Sequence, residues 1–247
     1  MEEKSEIIAN MRAVTLSREY GSGGGEIAAR LTKRLSWQLI DHDIVSRVAK
    51  EMGISEREAE LHDEQTEGLL SRILNSMRTI DPALMVGTES TAFATDAEAY
   101  RRALGKVVSA AVKRGHVVIV GRASQVLLAR RRDVLHARVV APLDMRIAYV
   151  MSREGLTQDA ARSRIQLKDR DRMRYLQAEF DAKPTDAHLY DIVVNTANFS
   201  LDQAVDFICL AMQHKAERLS VTTGELGPGA GLSPYPSKPG DFRPPEK

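Results

Sequence analysis

The sequence predicts an α/β protein with a parallel sheet, and two observations indicate this fold class. Five short apolar runs rich in Val, Ile and Leu alternate with segments of helical periodicity, which is the pattern of consecutive βαβ units. The runs show little polar alternation, as expected for strands that are covered by helices on both faces. The predicted strands are 13–17, 37–41, 116–122, 134–142 and 191–196.

The stretches between the strands carry the apolar spacing of helices. Helices are predicted over 26–35, 44–53, 97–115, 143–155, 157–180 and 200–219. Gly115 is expected to end one of them, and Ser200 is expected to cap the start of the last. Residues 54–80 are charged and are predicted to be mostly helical, and 81–96 is interpreted as a loop or a mobile insertion. The chain after Thr223 is rich in Gly and Pro and is expected to be disordered.

The composition argues against several classes of protein. A net charge of +1 on 247 residues argues against a protein held on nucleic acid mainly by phosphate neutralisation. The single cysteine, Cys209, rules out an intramolecular disulfide framework, and its apolar helical surroundings indicate a core thiol. No apolar stretch reaches the roughly 18 residues of a membrane span, and the N-terminus lacks the hydrophobic region of a signal peptide. The histidines lack metal-ligand spacing. A cytoplasmic protein without nucleic-acid or membrane partners is therefore expected.

Four glycines lie between the first predicted strand and the first predicted helix, in the stretch LSREYGSGGGEIAARL. They are Gly21, Gly23, Gly24 and Gly25. Backbone N–H groups of such a loop and of the first helical turn can bind phosphate. Glycine permits the close approach and the positive φ that this binding requires. The loop therefore indicates an anion site.

Two nucleotide-binding templates match this loop only in part. The dinucleotide fingerprint G-x-G-x-x-G matches Gly21 and Gly23, but Glu26 stands in place of the third glycine. Asp41 lies about 20 residues further on, at a strand end, where that fingerprint has an acid. The phosphate-loop pattern G-x-x-x-x-G-K-[ST] fails because no Gly-Lys pair follows. The identity of the phosphate ligand stays open, and so does a plain strand-to-helix turn.

A charged run, LKDRDRMRY at 167–175, lies in a long predicted helix. Arg170 and Arg174 share one face of such a helix, and Asp171 is a neighbour of Arg174. A solvated, salt-bridged face is one interpretation of this run. The other is a helix that brings arginines to phosphates bound by a loop without a lysine. Arginine makes bidentate contacts with phosphate oxygens, and phosphoryl transfer depends on neutralising charge.

Several motifs in a consistent order resemble the cytidylate kinase-like family, which is related to the bacterial cytidylate kinases of the nucleoside monophosphate kinase group. The motifs are TLSREYGSGGGEIAARL, LIDHDIVSRVAKEMGIS, VVIVGRAS, REGLTQDAARSRIQLKDRDRMRY and DIVVNTANFSLDQAV. The resemblance covers about 13–213 and is weakest over about 55–105. It implies a P-loop NTPase-type three-layer α/β fold with a five-stranded parallel sheet, a helical insertion and a helical lid.

The resemblance also implies a division of the chain. Residues 1–12 would be an N-terminal extension, 13–218 the P-loop domain, and 219–247 a disordered tail rich in Gly and Pro. Within the domain, the insertion would lie at about 55–105 and the lid at about 155–180.

The resemblance further implies roles for individual residues. The donor phosphates would lie on the loop after Arg18, formed by Gly21, Ser22, Gly23, Gly24 and Gly25. Arg47 and Arg122 match arginines that bind the acceptor phosphate. The other matches are His42 near the acceptor base, Asp171 and Arg174 at its ribose and base, and Arg170 and Arg172 as lid cations for the transferred phosphoryl group.

The sequence departs from the cytidylate kinase pattern at four positions. Gly24 stands where those kinases have the lysine of the phosphate loop, and Gly25 stands where a small or hydroxyl residue follows it. Val120 replaces an acidic residue, and Ala123 replaces the aspartate of the GRD motif. Two groups that order magnesium and one that reads the base are therefore missing. Arg18 is the nearest candidate to supply the charge of the lysine.

Three functional hypotheses follow. The first is a kinase that transfers a phosphoryl group from ATP to a small phosphorylated acceptor such as CMP, with Mg²⁺ held mainly by phosphates and water. The second is a nucleotide-binding or sensing module that has lost catalysis. The third is a dinucleotide-dependent oxidoreductase. The arginines at three matched positions, Arg47, Arg122 and Arg174, favour the first hypothesis, and a homodimer is left open.

Overall fold

The computed structural model describes residues 8–41, 96–228 and 230–231. Its strands are β1 (Ala13–Arg18), β2 (Gln38–Ile40), β3 (Val117–Val120), β4 (Val134–Val140) and β5 (Ile192–Asn195). Its α-helices are α1 (Gly24–Leu35), α2 (Asp96–Arg114), α3 (Ser124–Leu127), α4 (Leu143–Glu154), α5 (Gln158–Phe180) and α6 (Leu201–Glu217). The helix predicted over 44–53, the charged segment 54–80 and the loop predicted over 81–95 lie outside the described residues.

The strands form one parallel sheet in the order β2-β3-β1-β4-β5. β1 lies in the centre, where Val14 is paired with Val118 of β3 and with Leu135 of β4. All the described pairings are parallel, so the predicted α/β fold with a five-stranded parallel sheet is confirmed. Because parallel strands end at the same edge of a sheet, the loops that follow β1, β3 and β4 lie close together.

Apolar side chains cover both faces of the sheet. On one face, α1 and α6 pack on the central strands, and Leu16, Ile27 and Ile208 are fully buried there. On the other face, α2 packs on β2 and β3, and Ile40 and Val108 are buried between them. Burial on both faces explains why the strand sequences are nearly continuous in apolar residues.

Helices α4 and α5 pack against each other through a separate apolar cluster that includes Ile147. Tyr20 of the glycine loop packs against this cluster. Gly155 ends α4 with a left-handed φ of 66°, and the Thr157 side chain caps the start of α5. The segment for which a lid is expected, 155–180, therefore consists of this cap and α5, and its packing ties it to the glycine loop.

Capping and core residues follow the sequence in several places. Ser200 caps α6 through a complete capping box with Gln203, as predicted. Gly115 follows α2 with a φ of 82°, which confirms it as the residue that ends that helix. Cys209 is half-buried against the core, and burial raises the pKa of its thiol.

The structure differs from the predicted elements at four short segments. α1 begins at Gly24 rather than at residue 26, because the glycine loop turns directly into the helix. Neither α3 nor the 3-10 turn Ala187–Leu189 is indicated by the sequence, since such short turns have too few apolar positions to show a period. Thr223–Glu225 forms a 3-10 turn with a capping box, within the segment for which disorder is expected.

Candidate active site

The glycine loop after β1 has a backbone that requires glycine at two positions. Gly21 and Gly23 have φ angles of 81° and 80°, which side chains rarely adopt. A Cβ atom on Gly23 would lie 2.6 Å from Leu201 Cδ2, and one on Gly21 would lie 2.9 Å from the Arg146 carbonyl oxygen. α1 then begins at Gly24 without a side chain capping its N-terminus. The N–H groups of its first turn are thus oriented as in loops that bind phosphate.

Ser22 stabilises the loop through its side chain. The side chain is buried, and its hydroxyl lies within donating distance of the carbonyl oxygens of Glu19 (2.9 Å) and Val139 (3.2 Å). The Thr196 hydroxyl donates to the Ser22 carbonyl oxygen at 3.0 Å. Because the Ser22 hydroxyl is engaged in the protein, its expected contact with a donor nucleotide can involve only the backbone.

Arg18, at the end of β1, fills the space beside Gly24. A Cβ atom on Gly24 would lie 2.7 Å from Arg18 Cβ, and one on Gly121 would lie 3.1 Å from Arg18 Nη1. The side chain therefore runs across Gly24 to the end of β3. Burial and, to a smaller extent, the positive charge of Arg172 lower the pKa of Arg18 to about 10, and Asp41 opposes this shift. Arg18 is consequently still cationic at neutral pH.

A cavity of about 620 Å³ lies beside Arg18, between the ends of β1, β3 and β4 and helix α5. Its lining contains the cationic side chains Arg18, Arg122, Arg138, Lys168 and Arg172. The acidic side chains in the lining are Glu19, Asp169 and Asp171. A concave site at the carboxyl edge of a parallel sheet with an excess of cations suits a small anionic ligand.

The turn after β3 holds Arg122 in a strained backbone. Gly121, Arg122 and Ala123 have φ angles of 74°, 56° and 51°, so three consecutive residues are left-handed and two of them are not glycine. The Ser124 hydroxyl donates to the Gly121 carbonyl oxygen at 2.8 Å and stabilises the turn. Such a backbone costs about 1–3 kcal/mol per residue and is concentrated at functional sites. The strain therefore supports a functional position for Arg122 in the cavity wall.

Side chains on the cavity side of α5 form hydrogen bonds with the backbone at the start of the glycine loop. Asp169 Oδ1 accepts a hydrogen bond from the Tyr20 N–H at 2.8 Å, and Asp169 Oδ2 lies 2.5 Å from Arg146 Nη1. Arg172 Nη1 donates to the Arg18 carbonyl oxygen at 3.4 Å. Burial lowers the pKa of Arg172, and Asp169 opposes that shift. The structure thus brings Arg172, a predicted lid cation, to the mouth of the loop.

Arg170 and Arg174 lie on the opposite face of α5, and the structure does not bring them to the cavity. Both are exposed, and neither belongs to the lining. Successive residues of an α-helix are rotated by about 100°, so the residues two before and two after Arg172 point away from its side. The α5 cations that line the cavity are Lys168 and Arg172, and the roles expected for Arg170 and Arg174 stay predictions. Asp171 does line the cavity.

Arg138 of β4 is a cavity residue that the sequence motifs do not indicate. It is 7% exposed. Its Nη1 lies 3.2 Å from Ser17 Oγ and 3.5 Å from the Tyr190 hydroxyl oxygen, and its guanidinium carbon lies 5.6 Å from the centre of the Tyr190 ring. The available signal is a lone arginine inside the apolar run VLHARVV.

Two predicted acceptor residues, His42 and Arg47, lie outside the described residues.

Within residues 8–41, 96–228 and 230–231, no group of three or more His, Cys, Asp or Glu side chains is arranged to hold a metal ion. Among the helices of these same ranges, none has the length and apolar character needed to cross a membrane.

Comparison with known proteins identifies the family of the chain. A family model described as the cytidylate kinase-like family matches residues 13–198. The chain belongs to the cytidylate kinase-like family. The matched region runs from β1 past the end of β5 and includes the glycine loop, the cavity and α5. The resemblance stated from the sequence motifs is confirmed.

Individual relatives are more distant. A cytidylate kinase of Methanopyrus kandleri is 29% identical over 116 residues, which are 44% of this chain and 60% of that protein. A uronate isomerase of Corynebacterium glutamicum is 33% identical over 91 residues, which are 37% of this chain and 18% of that protein. The chain thus spans less than two thirds of either relative.

A solved structure shows the same fold over nearly its whole length. The crystal structure of an uncharacterized protein from Eubacterium ventriosum has a TM-score of 0.56 and 19% sequence identity. The alignment covers 81% of this chain and 98% of that one. At this identity the similarity concerns the fold alone.

Proposed function

We propose that the protein transfers a phosphoryl group from ATP to a small phosphorylated acceptor, and that a nucleoside monophosphate such as CMP is the first acceptor to test. One observation carries this proposal. Arginines from β1, β4, α5 and the turn after β3 converge on a single cavity beside a glycine loop with phosphate-binding geometry. The family name and the relative named cytidylate kinase support the same chemistry.

The residues present fit the phosphates of ATP. Donor phosphates would be held by backbone N–H groups of Gly21–Gly25, because the left-handed Gly21 and Gly23 shape the loop and the N-terminus of α1 lacks a side-chain cap. Mg²⁺ fits less directly. Gly25 offers no hydroxyl, the Ser22 hydroxyl bonds within the protein, and the described residues hold no acidic metal cluster. The ion would be held by phosphate oxygens and water.

Phosphoryl transfer requires little covalent chemistry from the protein. An oxygen of the acceptor phosphate forms a bond to the γ-phosphorus of ATP while the bond to the leaving ADP oxygen breaks, and the acceptor gains one phosphoryl group. The attacking oxygen is already ionised, so no general base is needed. Arg18 and Arg172 lie at the mouth of the loop, where they would stabilise the negative charge of the transferring group.

A nucleotide-binding module without catalysis is the second candidate, and the position of Gly24 favours it. The lysine of an ordinary phosphate loop is absent there, and the space is occupied by the stem of Arg18. A side chain fixed in this way has less freedom to follow the γ-phosphate than a flexible lysine.

A dinucleotide-dependent oxidoreductase is disfavoured by the order of the strands. The dinucleotide-binding fold has the order 3-2-1-4-5-6, so that β2 lies beside β1. In this sheet β3 lies between β2 and β1. The hypothesis based on Gly21, Gly23 and Asp41 also gives no role to the arginines of the cavity.

The test is a screen of ATP and Mg²⁺ with each nucleoside monophosphate, followed by ADP release. Turnover with one acceptor above the rate with ATP alone is the expected result. ATP binding by calorimetry without turnover for any acceptor would favour the nucleotide-binding module. Quenching or enhancement of NADH fluorescence that ATP cannot reverse would instead support the oxidoreductase.

A further inference from the structure

We infer that Arg138 and Ser17 form a binding site for a phosphate group of the acceptor, on the β4 side of the cavity, and that Tyr190 positions the Arg138 guanidinium. This inference deepens the proposed function and rests on it in one respect, namely that the cavity receives the acceptor. It adds residues that the family motifs do not assign.

The Arg138 guanidinium is buried, and its polar contacts are long. The side chain is 8% exposed, and its described polar contacts are long, at 3.2 Å to Ser17 Oγ and 3.5 Å to the Tyr190 hydroxyl oxygen. Charge-assisted hydrogen bonds of a guanidinium are usually about 2.7–2.9 Å. A buried cation is costly unless an anion lies close to it. Arg138 therefore has capacity for a closer anionic partner.

The carboxylate beside Arg138, that of Glu19, is shared with a second arginine, Arg146. Glu19 Oε1 lies 3.9 Å from Arg138 Nη2, whereas Glu19 Oε2 lies 3.6 Å from Arg146 Nε and accepts from the Ala141 N–H at 3.1 Å. One carboxylate thus faces two arginines and is held by the backbone on the side away from Arg138. Asp169 is shared in the same way by Arg146 and Arg172, so three arginines face two carboxylates and the group keeps a net positive charge.

The hydroxyl groups of Tyr190 and Ser17 lie beside the Arg138 guanidinium. The Tyr190 hydroxyl lies 3.0 Å from the Pro184 carbonyl oxygen and 3.2 Å from Ser17 Oγ. Ser17 Oγ accepts from Arg138 at 3.2 Å, so its own hydrogen is left to donate. Ser17 and Arg138 both line the cavity and are paired residues of adjacent strands. A guanidinium and a neighbouring hydroxyl donor form a site with the hydrogen-bonding pattern that a phosphate requires.

Arg138 and Ser17 line the cavity, whereas the glycines of the loop do not belong to its lining. Arg122 follows β3 and Arg138 lies on β4, and β1 with Arg18 lies between these strands. Adjacent strands are about 4.8 Å apart, so the strands that carry Arg122 and Arg138 are separated by about 10 Å. Pro184 and Thr185 line the cavity on the same side as Arg138. In the proposed kinase the glycine loop holds the phosphates of ATP, and Asp171, which matches a residue at the acceptor's ribose and base, lines the same cavity as Arg138. A phosphate bound by Arg138 is therefore assigned to the acceptor rather than to ATP.

The experiment is a titration of the full-length protein with inorganic phosphate and, separately, with ATP, with the Nε–H resonances of ¹⁵N-labelled arginine as the readout. In Arg138→Met, phosphate should bind about 10–100-fold more weakly, because one charged hydrogen-bonding group is lost. ATP affinity should change by less than about twofold. Arg162→Met is the matched control, since Arg162 lies on α5 with a side chain that is 41% exposed and outside the cavity lining.

A folded Arg138→Met protein that retains the wild-type phosphate affinity overturns the inference, and so does a wild-type protein that does not bind phosphate at millimolar concentration. A parallel loss of ATP affinity also overturns it, since Arg138 would then serve the donor. If Arg138→Met does not fold, Ser17→Ala decides, because it removes the hydroxyl donor that lines the cavity beside Arg138: phosphate should bind several-fold more weakly, and unchanged affinity contradicts the inference. Because these readouts need no turnover, failure of every acceptor in the ADP-release screen would refute the proposed kinase without altering this result.

Discussion

The glycine loop after β1 and the cavity beside it supply different parts of a nucleotide site. The loop has the backbone geometry of a phosphate site, with left-handed Gly21 and Gly23, but no cation among its glycines. The cavity has the cations, including Arg122 in a strained turn. Arg18 is the link, because its side chain starts at the loop, crosses Gly24 and ends at Gly121.

This difference teaches that charge and backbone geometry can be supplied separately. In a phosphate loop with a lysine, one short segment provides both. Here the space of that lysine side chain is filled by Arg18, and a second cation, Arg172, comes from α5. Catalysis of phosphoryl transfer by positioning and charge neutralisation does not require that the cation be a lysine.

The largest effect is expected from Arg172→Met, which removes the α5 cation at the mouth of the loop. If the proposed kinase is correct, kcat should fall by about 10²–10³, the usual loss for one group that stabilises charge in the transition state. The measurement is steady-state ADP release with the acceptor found in the screen. Arg162→Met, at an arginine of the same helix whose side chain is 41% exposed and lies outside the cavity lining, should retain wild-type kcat. Equal losses in both variants would show that α5 acts only through its total charge.

The second prediction compares two adjacent glycines of the first turn of α1. In Gly24→Ala, the new Cβ would lie 2.7 Å from Arg18 Cβ, whereas at Gly25 nothing lies within 4 Å. Alanine favours a helix over glycine by about 1 kcal/mol at either position, so Gly25→Ala should unfold at an equal or higher temperature. Gly24→Ala must displace Arg18 and should lose about 1–3 kcal/mol together with affinity for the donor. Thermal unfolding and ATP calorimetry provide the two readouts, and identical behaviour of both variants would refute a packed Arg18.

The third prediction concerns the outer face of α5. Arg174→Ala should change the acceptor KM by less than about threefold, because surface charges at this distance contribute below about 1 kcal/mol. The resemblance to cytidylate kinases implies the opposite, a marked rise in KM. Steady-state kinetics of Arg174→Ala decides between the two expectations. A large rise would mean that α5 rotates when the acceptor binds.

Arg170, Arg172 and Arg174 also show what the sequence can and cannot predict. The alternating run identifies a charged helix, and the helical period correctly puts Arg170 and Arg174 on one face. Which face turns to the cavity depends on contacts distant in sequence, chiefly those of Asp169 with Tyr20 and Arg146. The sheet, in contrast, follows from local apolar runs and was predictable strand by strand.

Other parts of the site depend on features that a pattern does not contain. The left-handed backbone of Arg122 and Ala123 contradicts the local preference of both residues and results from tertiary contacts. The sequence does not single out Arg138, because the strand around it is mostly apolar. Its contacts come from residues distant in sequence, on β1 and at Tyr190 near the start of β5. Sequence motifs therefore located the loop and α5 but missed a wall of the cavity.

The smallest effect is expected from the link between the loop and α4. The Tyr20 hydroxyl donates to Glu154 Oε1 at 2.7 Å, and this hydrogen bond, helped by Arg164, lowers the pKa of Glu154. A carboxyl group whose pKa is lowered by folding stabilises the protein above its unfolded pKa, and this stability is lost as the pH falls through the folded value. The contribution should therefore be constant above about pH 4.5 and decline below it.

The difference in free energy of unfolding between wild type and Glu154→Gln measures this contribution. It should be a few tenths of a kcal/mol near neutral pH, as for other solvent-screened pairs, and it should shrink at acid pH. Tyr20→Phe should remove the pH dependence of the difference, because it deletes the main cause of the shift. A difference that persists unchanged below pH 4 would mean that Glu154 stabilises α4 through packing.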